Sequence, residues 1–484
     1  MTYMRKTVPA RLILLAMAFP SVTLAQSDEP HIVVDQFGYL PASRKVAVVR
    51  SFHQEEPVFS PGSTYWVVDG TSGRKVLKGR ITDPLHGQAD KVSGDRVWWI
   101  DFSQLRKSGT YYILDEQHGE RSFSFRIADD VYADVLRQAV RMFFYQRAGC
   151  DKDARYAGEG WADKASHVGP GQDKNARQGN RRDNAGTERD VHGGWYDAGD
   201  YNKYTPWTND YIEGMLLAWQ ENPKAFSDDY GLPESGNGVP DILDEARWGL
   251  DYMLRLQGSD GAVISLVNLD HASPPSAATG ASYYGAPSTT ATLTAVKSFA
   301  LGAVVFGKIG QNHYAKQLRE AALLGWQWAE EHPDSLFFTK SPDSGMGGAE
   351  VETDNPTDRF VNRATAALYL YELTGQKDLL SIFEEGYQQL PIVATHHTDQ
   401  YQHRHLLLCL HYLQEADAKP GVSREVRQCL QVAFHSLQGT DGYRSYIHDY
   451  NWGSNQYKSN YGLACWLMAQ LEPDRQADLT ADAE

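Results

Sequence analysis

The chain has 484 residues, of which 42% are hydrophobic and 12% are aromatic, and its formal net charge at pH 7 is −16. This length exceeds what one ordinary hydrophobic core needs, so we expect two domains, and the apolar content excludes a disordered protein. The negative charge argues against nucleic acid and anionic membranes as partners, because both attract basic surfaces.

The first residues have the composition of an export signal. Three basic residues precede the apolar run 12–19, and the small-x-small sequence Thr23-Leu24-Ala25 follows it. This order predicts a secretory signal peptide over residues 1–25, cleaved after Ala25, and therefore a secreted or periplasmic protein. The alternative is an N-terminal helix that is buried in the fold.

Short apolar runs with strand character extend from His31 to Ile127. They include Val46–Val49 and Tyr65–Val68, and turn residues such as Asp69-Gly70 separate them. Roughly seven strands in about one hundred residues predict an N-terminal immunoglobulin-like β-sandwich, which we place at residues 31–128.

After residue 130 the hydrophobic period changes from that of strands to that of helices. About ten helices are legible, and short and long loops alternate between them. The polar stretch 150–190 has no helical period and reads as a loop. Stacked helical hairpins of this kind predict an all-α barrel of the (α/α) type over residues 131–475, with the long functional loops gathered at one end.

The segment from His192 to Tyr201 contains two carboxylates, Asp197 and Asp200, with only Ala and Gly between them. We call residues 197–200 the acidic turn. A carboxylate pair that holds and deprotonates a water is half of what an inverting glycosidase needs. Like charges at close range are expected to raise the pKa of one of the two. On the pair alone, two other interpretations stay open: a turn that caps a helix, and a site for a structural cation.

Three segments give this turn a context: FYQR at 144–147, GGWYDAGDYNKY at 193–204 and PDILDEARW at 240–248. In this order they resemble glycoside hydrolase family 9, which consists mostly of cellulases. Segments 33–39 and 125–132 are similar to the start and the end of the immunoglobulin-like module that precedes many such catalytic domains. The resemblance implies an (α/α)6 barrel and hydrolysis of β-1,4-glucosidic bonds in cellulose or related β-glucans, with inversion.

The resemblance also implies roles for the two carboxylates. Asp200 matches the general base of the family, which deprotonates the attacking water. Asp197 matches the partner residue that helps to hold this water. In an inverting enzyme the general acid lies about 6.5–9.5 Å away across the sugar, so that the water fits between the carboxyl groups.

Four aromatic residues are candidates for stacking against sugars. Tyr283 and Tyr284 stand where family members often have an aromatic pair along the cleft, and Tyr204 and Trp207 follow the acidic turn. The alternative is that these rings are ordinary core residues at the junctions of helices and loops.

The partner implied by the resemblance is a β-glucan polysaccharide or oligosaccharide, and we expect a monomer that binds neither nucleic acid nor a membrane. We expect no required cofactor. Some relatives with this module bind zinc, but Ser166-His167 stands where a Cys-His pair would be needed beside Cys150, so no metal ligands are assigned. Calcium is common in the family, and a structural calcium ion stays an alternative, although segment 353–358 does not reproduce a ligand loop.

The general acid of the family, a Glu in a conserved motif near the C-terminus, has no visible counterpart in this sequence. We therefore expect a barrel that is incomplete at the C-terminus by about one helical hairpin. Three interpretations stay open: a truncated or frameshifted enzyme, a glucan-binding protein without activity, and an enzyme in which Glu234 or Glu350 replaces the acid. A further alternative among enzymes is an exo-β-glucosaminidase on the same scaffold.

Overall fold

The computed structural model describes residues 30–55, 57–399, 401–436, 441–447, 450 and 453–483. The predicted signal peptide at residues 1–25 lies outside these ranges and stays a prediction.

The N-terminal part is built from two antiparallel sheets that enclose a small apolar core. One sheet has the strand order β1-β2-β5, and the other has the order β4-β3-β6-β7, with β8 also paired to β6. Alternate residues of β2 and β6 are buried, as expected for strands with one face on a core. The architecture agrees with the predicted β-sandwich. The strands are β1 (Ile32–Val33), β2 (Val46–Ser51), β3 (Thr64–Asp69), β4 (Lys75–Arg80), β5 (Arg96–Asp101), β6 (Gly109–Asp115), β7 (Glu120–Arg121) and β8 (Phe125–Ile127).

The rest of the described chain is mainly helical, with ten helices of nine or more residues and three shorter ones. This agrees with the ten helices predicted from the hydrophobic period. The helices are α1 (Ala133–Gln146), α2 (Ala154–Ala157), α3 (Thr205–Glu221), α4 (Asp241–Leu256), α5 (Thr289–Lys308), α6 (Asn312–Glu331), α7 (Pro356–Thr374), α8 (Asp378–Gly386), α9 (Pro391–Thr395), α10 (His403–Gln414), α11 (Pro420–Ser436), α12 (Ser454–Leu471) and α13 (Gln476–Ala483).

Five of these helices form an inner ring. Helix α5 packs against α3 and α7, and α10 packs against α7 and α12. The ring closes through Glu221 at the end of α3, which accepts hydrogen bonds from Trp466 (3.3 Å) and Gln470 (2.8 Å) of α12. A cavity of about 110 Å³ lies between all five helices. Within the described residues these five helices form the inner wall of the helical domain, in agreement with the predicted (α/α)-type barrel, and the missing hairpin stays a prediction.

Helix α5 is the most apolar element of the ring. The most apolar 18-residue window of this 20-residue helix has a mean hydropathy of 1.4. By length and composition alone, such a helix could cross a membrane. In the fold, 89% of that window is buried against neighbouring elements. The apolar character of α5 is therefore explained by its burial between α3, α6 and α7.

The sandwich contacts the helical domain through a short segment that precedes α12. The indole nitrogen of Trp99 donates to the carbonyl of Gly442 (2.7 Å), and the amide of Gly442 donates to Asp90 (2.9 Å). The hydroxyl of Tyr443 donates to Asp95 (2.5 Å). A Cβ atom on Gly442 would lie 2.8 Å from the side chain of Val97, so only glycine fits this contact.

A buried ion pair joins α1 to α4. Arg147, which is 2% exposed, follows α1 and donates to Glu245 of α4 through Nη2 (2.7 Å) and Nε (3.0 Å). Its Nη1 donates to Glu234 (2.9 Å). Glu245 also accepts a hydrogen bond from the indole nitrogen of Trp195 (2.7 Å), just before the acidic turn. The start of the acidic turn is thereby fixed to two helices.

We predict that Glu245→Gln lowers the free energy of unfolding by about 3 kcal/mol or more, because the substitution leaves a buried guanidinium without its main counter-charge. The matched control is Glu330→Gln, since Glu330 pairs with Arg363 at 2.8 Å and both side chains are more than a third exposed. This control should change stability by about 1 kcal/mol at most. Denaturant unfolding followed by circular dichroism measures both, and equal small losses would contradict the prediction.

Candidate active site

The acidic turn lies between a β-bridge, which pairs Arg147 with Trp195, and the short strand β10 (Lys203–Tyr204). Strand β9 (Arg177–Gln178) precedes it in the chain. Gly194 precedes the turn with a φ of +72°, and a Cβ atom there would lie 2.6 Å from the ring of Tyr252. Both the positive φ and the close approach to Tyr252 therefore require glycine at position 194. The amide of Asp197 donates to the carbonyl of Asn202 (3.1 Å), which closes the turn between the two carboxylates.

The buried side chain of Lys203 holds the acidic turn in place. Its side chain is 0% exposed, and Nζ donates to Asp173 (2.8 Å) and to the carbonyls of Val191 (2.9 Å) and Gly193 (2.9 Å). Asp173 also accepts a hydrogen bond from the hydroxyl of Ser282 (2.6 Å). Burial lowers the pKa of Lys203, and the charge of Asp173 opposes this effect. The ion pair thus ties the turn to the long polar loop that precedes it.

The carboxylate of Asp200 is exposed but oriented by three donors. Oδ1 accepts from the amide of Asn202 (3.1 Å), while Oδ2 accepts from the Asn202 side chain (3.1 Å) and from the hydroxyl of Tyr204 (2.7 Å). The Tyr204 hydroxyl itself accepts from the amide of Ala349 (2.8 Å). The carboxylate is therefore both held in place and open to water, as a general base requires.

Asp197 has a different environment from Asp200. It is half-buried, and Oδ1 accepts a hydrogen bond from the hydroxyl of Tyr211 (3.1 Å) in α3. Burial raises the pKa of Asp197, and the charge of Asp200 raises it further, while the bond from Tyr211 lowers it. The expected raised pKa in the pair therefore falls on Asp197, and its main cause is burial rather than like-charge repulsion.

Trp207 lies beside Asp197. The two side chains line one recess of about 290 Å³, together with residues of α10 and α12. Tyr204, in contrast, is 1% exposed, and its ring packs against Trp207 with centroids 4.5 Å apart. The expectation that Tyr204 stacks on a sugar needs correction, because no face of the ring is free. Its hydroxyl instead orients Asp200.

Tyr283 and Tyr284 form β12, in a small sheet of order β10-β11-β12-β9, where β11 is Leu266–Asn268. Strand β12 therefore lies about 10 Å from the strand that follows the acidic turn, at the usual strand spacing. The guanidinium of Arg182 covers one face of Tyr283 at 4.2 Å, and the hydroxyl of Tyr284 donates to the Thr187 carbonyl (2.7 Å). Both rings remain partly exposed.

The recess beside Asp197 also contains residues that the sequence patterns did not single out. Arg404 of α10 forms an ion pair with Asp210 of α3, and His403 and Tyr457 line the same recess. Arg404 stands 194 residues after Asp210, and no local spacing connects them. The available signal was a pair of acidic residues, Asp210 and Glu213, on an inner helix.

The two alternative acids have structural roles. Glu234 pairs with Arg147 (2.9 Å). The carboxylate of Glu350 accepts hydrogen bonds from backbone amides that include those of Thr339 (3.1 Å) and Lys340 (3.2 Å), and these bonds lower its pKa. A general acid needs a proton at the working pH and therefore a raised pKa. Glu350 therefore lacks the environment of a proton donor, and the carboxylate of Glu234 is engaged by the guanidinium of Arg147.

Three carboxylates near the start of α4 offer the kind of ligand that calcium prefers. One oxygen from each of Asp228, Asp241 and Asp244 lies within 4.8 Å of the others. Asp241 already accepts hydrogen bonds from the amide of Tyr230 (2.5 Å) and the hydroxyl of Ser235 (2.8 Å). The oxygen donor set fits calcium, and structural calcium stays a prediction.

Comparisons with known proteins match both parts of the chain. A family model described as "Glycosyl hydrolase family 9" matches residues 132–483, and one described as "Cellulase N-terminal ig-like domain" matches residues 27–120. The chain is 31% identical to a cellulose 1,4-beta-cellobiosidase of Acetivibrio thermocellus, over 72% of this chain and 41% of that protein. It is 29% identical to a cellodextrinase of Butyrivibrio fibrisolvens, over 73% of this chain and 60% of that protein. The chain therefore spans less than two thirds of either relative.

Solved structures with the same fold cover nearly the whole chain. A metagenome-derived glycoside hydrolase family 9 endoglucanase superimposes with a TM-score of 0.79 at 28% identity, over 93% of this chain and 82% of that one. The family 9 endoglucanase J30 superimposes with a TM-score of 0.77 at 30% identity, over 92% and 81%.

We predict that Tyr211→Phe raises the pKa of Asp197, because the lost hydrogen bond stabilises the ionised carboxylate. Carboxyl chemical shifts of selectively labelled aspartates, followed through a pH titration, measure this pKa. The matched control is Tyr371→Phe, which removes a similar bond to Asp417 (2.8 Å) in another part of the fold. An unchanged or lower pKa of Asp197 in Tyr211→Phe would contradict the prediction.

Proposed function

The chain is a member of glycosyl hydrolase family 9, and on this premise we propose that it hydrolyses β-1,4-glucosidic bonds in cellulose or related β-glucans with inversion. Relatives named as endoglucanases, a cellodextrinase and a cellobiosidase support the substrate class. The proposed partner is a β-glucan chain or oligosaccharide. The N-terminal export pattern supports a secreted or periplasmic protein.

The observation that carries this proposal is the difference between the two carboxylates of the turn. Asp200 is exposed and fixed by three hydrogen bonds, so it can accept a proton from a water in a defined direction. Asp197 is half-buried beside an open recess and can hold the same water. In inversion this water attacks the sugar from the face opposite to the leaving group.

The second candidate function is glucan binding without cleavage. It is favoured by the environments of the two alternative acids, because Glu234 is paired with the guanidinium of Arg147 and bonds from backbone amides lower the pKa of Glu350. General-acid assistance typically contributes about 10²–10⁴-fold to the rate. Release of reducing sugars from carboxymethyl cellulose, compared with binding to the same polymer, distinguishes the two. Binding without release would support the second function.

We predict that Asp200→Asn lowers the rate of glucan hydrolysis by about 10²–10⁴-fold, because the amide cannot accept the proton of the attacking water. Asp197→Asn should have a clearly smaller effect, since an amide can still hold water by hydrogen bonds. The measurement is reducing-sugar release from carboxymethyl cellulose at saturating substrate. Equal and mild losses in both variants would rule out the assignment of Asp200 as the base.

Tyr204→Phe should lower kcat by about tenfold to a hundredfold, the usual effect of removing one hydrogen bond to a charged group. The KM for glucan should stay near that of the wild type, because the Tyr204 ring is buried and has no free face for a sugar. Tyr371→Phe is the control, since its hydroxyl bonds a carboxylate away from the turn. A loss confined to KM would contradict a positioning role for Tyr204.

A further inference from the structure

A cavity of about 200 Å³ lies between the first turns of α5 and α7 and the last turn of α6. We call it the α5–α6–α7 pocket. Five apolar side chains form the greater part of its walls, and they are Leu293, Ala329, Pro333, Pro356 and Phe360. Leu293 and Ala329 are 4% and 3% exposed. A Cβ atom at Gly386 of α8 would lie 2.3 Å from the ring of Phe360, so this ring is packed directly against α8. The apolar part of the pocket is therefore built from packed elements of the fold.

Three charged side chains line the pocket, and two of them neutralise each other. Arg363 donates to both carboxylate oxygens of Glu330 at 2.8 Å. The third is Arg359, and the carboxylate of Asp334 lies 4.0 Å from it, which is too far for a hydrogen bond. Asp334 is 81% exposed, so water screens this pair. Arg359 therefore gives the pocket one positive charge without a close counter-charge among the described residues.

The guanidinium of Arg359 also has open hydrogen-bonding capacity. It offers five N–H donors, and its side chain makes no hydrogen bond to another residue in the described ranges. The hydroxyl groups of the pocket are engaged elsewhere, since Thr289 donates to the carbonyl of His332 and Thr290 donates to Glu352. A polar group of a ligand in this pocket would therefore bind to the guanidinium.

Asn362 of α7 is the second polar group of the pocket with open hydrogen-bonding capacity. The residue is 4% exposed, and its side-chain amide makes no hydrogen bond to another described residue. A buried amide without a partner costs free energy, so it indicates a bound molecule or water in the space that it faces. Asn362 also lines a neighbouring cavity of about 280 Å³ that contains Trp207, which we call the Trp207 cavity. An experiment must therefore distinguish ligands of the two cavities.

We propose that the α5–α6–α7 pocket binds a compact aromatic carboxylate, with the ring between Leu293, Ala329 and Phe360 and the carboxylate on the guanidinium of Arg359. An apolar cavity of about 150 Å³ accommodates benzene, so about 200 Å³ holds one ring and a carboxylate. A guanidinium and a carboxylate match each other in two parallel hydrogen bonds. A sugar fits these walls poorly, because its hydroxyl groups would face apolar side chains without partners. The proposed ligand is not a glucan, so this site does not depend on the proposed hydrolysis.

Fluorine NMR of 4-fluorobenzoate with the full chain at about pH 7 tests the proposal, because exchange with the bound state broadens the signal of a weak ligand. The wild type should bind this probe with a Kd of about 1 mM or lower. Arg359→Gln should raise the Kd at least about tenfold, and so should 4-fluorobenzyl alcohol, which has the same ring without the charge. The matched control is Arg155→Gln, since Arg155 is a 71% exposed guanidinium outside the pocket that lies 3.6 Å from Asp153. This control should leave the Kd unchanged, and thermal unfolding checks that each variant is folded.

Ala329→Leu fills the space for the ring and should abolish binding, which tests the position of the ligand separately from its charge. An excess of cellotetraose should leave 4-fluorobenzoate bound, and displacement would place the probe in the Trp207 cavity and overturn the assignment. The assignment also fails if the wild type shows no saturable binding up to about 10 mM, or if Arg359→Gln binds as tightly as the wild type. A loss in Arg155→Gln as large as in Arg359→Gln would indicate attraction to surface charge and would overturn it as well.

Discussion

The buried ammonium of Lys203 is the constraint on which the geometry of the site depends. A fully buried charge costs several kcal/mol unless its hydrogen bonds are made, and Lys203 makes three, to Asp173 and to the carbonyls of Val191 and Gly193. Because Asp173 is also held by Ser282, next to β12, the long loop, the acidic turn and the small sheet are fixed together. Moving any of them would leave a charge unpaired in the interior. The residues on both sides of the turn are therefore held in place.

Asp197 and Asp200 are the same type of residue, but their surroundings suit them to different tasks. Asp200 lies in solvent and is oriented by donors, whereas Asp197 lies at the wall of a recess where burial raises its pKa. The difference comes from α3 and β10, which carry Tyr211 and Tyr204 to one carboxylate each. Pairs of titratable groups in unlike environments are common where one group must stay ionised and the other must hold a ligand.

Local patterns in the sequence predicted the parts of the molecule that local physics determines. The strand-rich part, the ten long helices and the Asp197/Asp200 turn follow from hydrophobic periods and short spacings. The role of Tyr204 was predicted wrongly, because its burial depends on Ala349, which is 145 residues away in the chain. His403, Arg404 and Tyr457 were not found for the same reason, because only the packing of α10 and α12 on α3 brings them to the recess beside Asp197.

The contact at Gly442 links the sandwich to the segment that leads into helix α12. Gly442 is held by Trp99 and Asp90 of the sandwich, and helix α12, which carries Tyr457, begins twelve residues later. Val97 of the sandwich leaves no room for a side chain at that glycine. The sandwich is therefore matched to this helical domain by a specific contact. A recombination event that joined this helical domain to a different sandwich would need to preserve Trp99, Asp90 and Gly442 together. We therefore expect the two domains to be inherited as a unit.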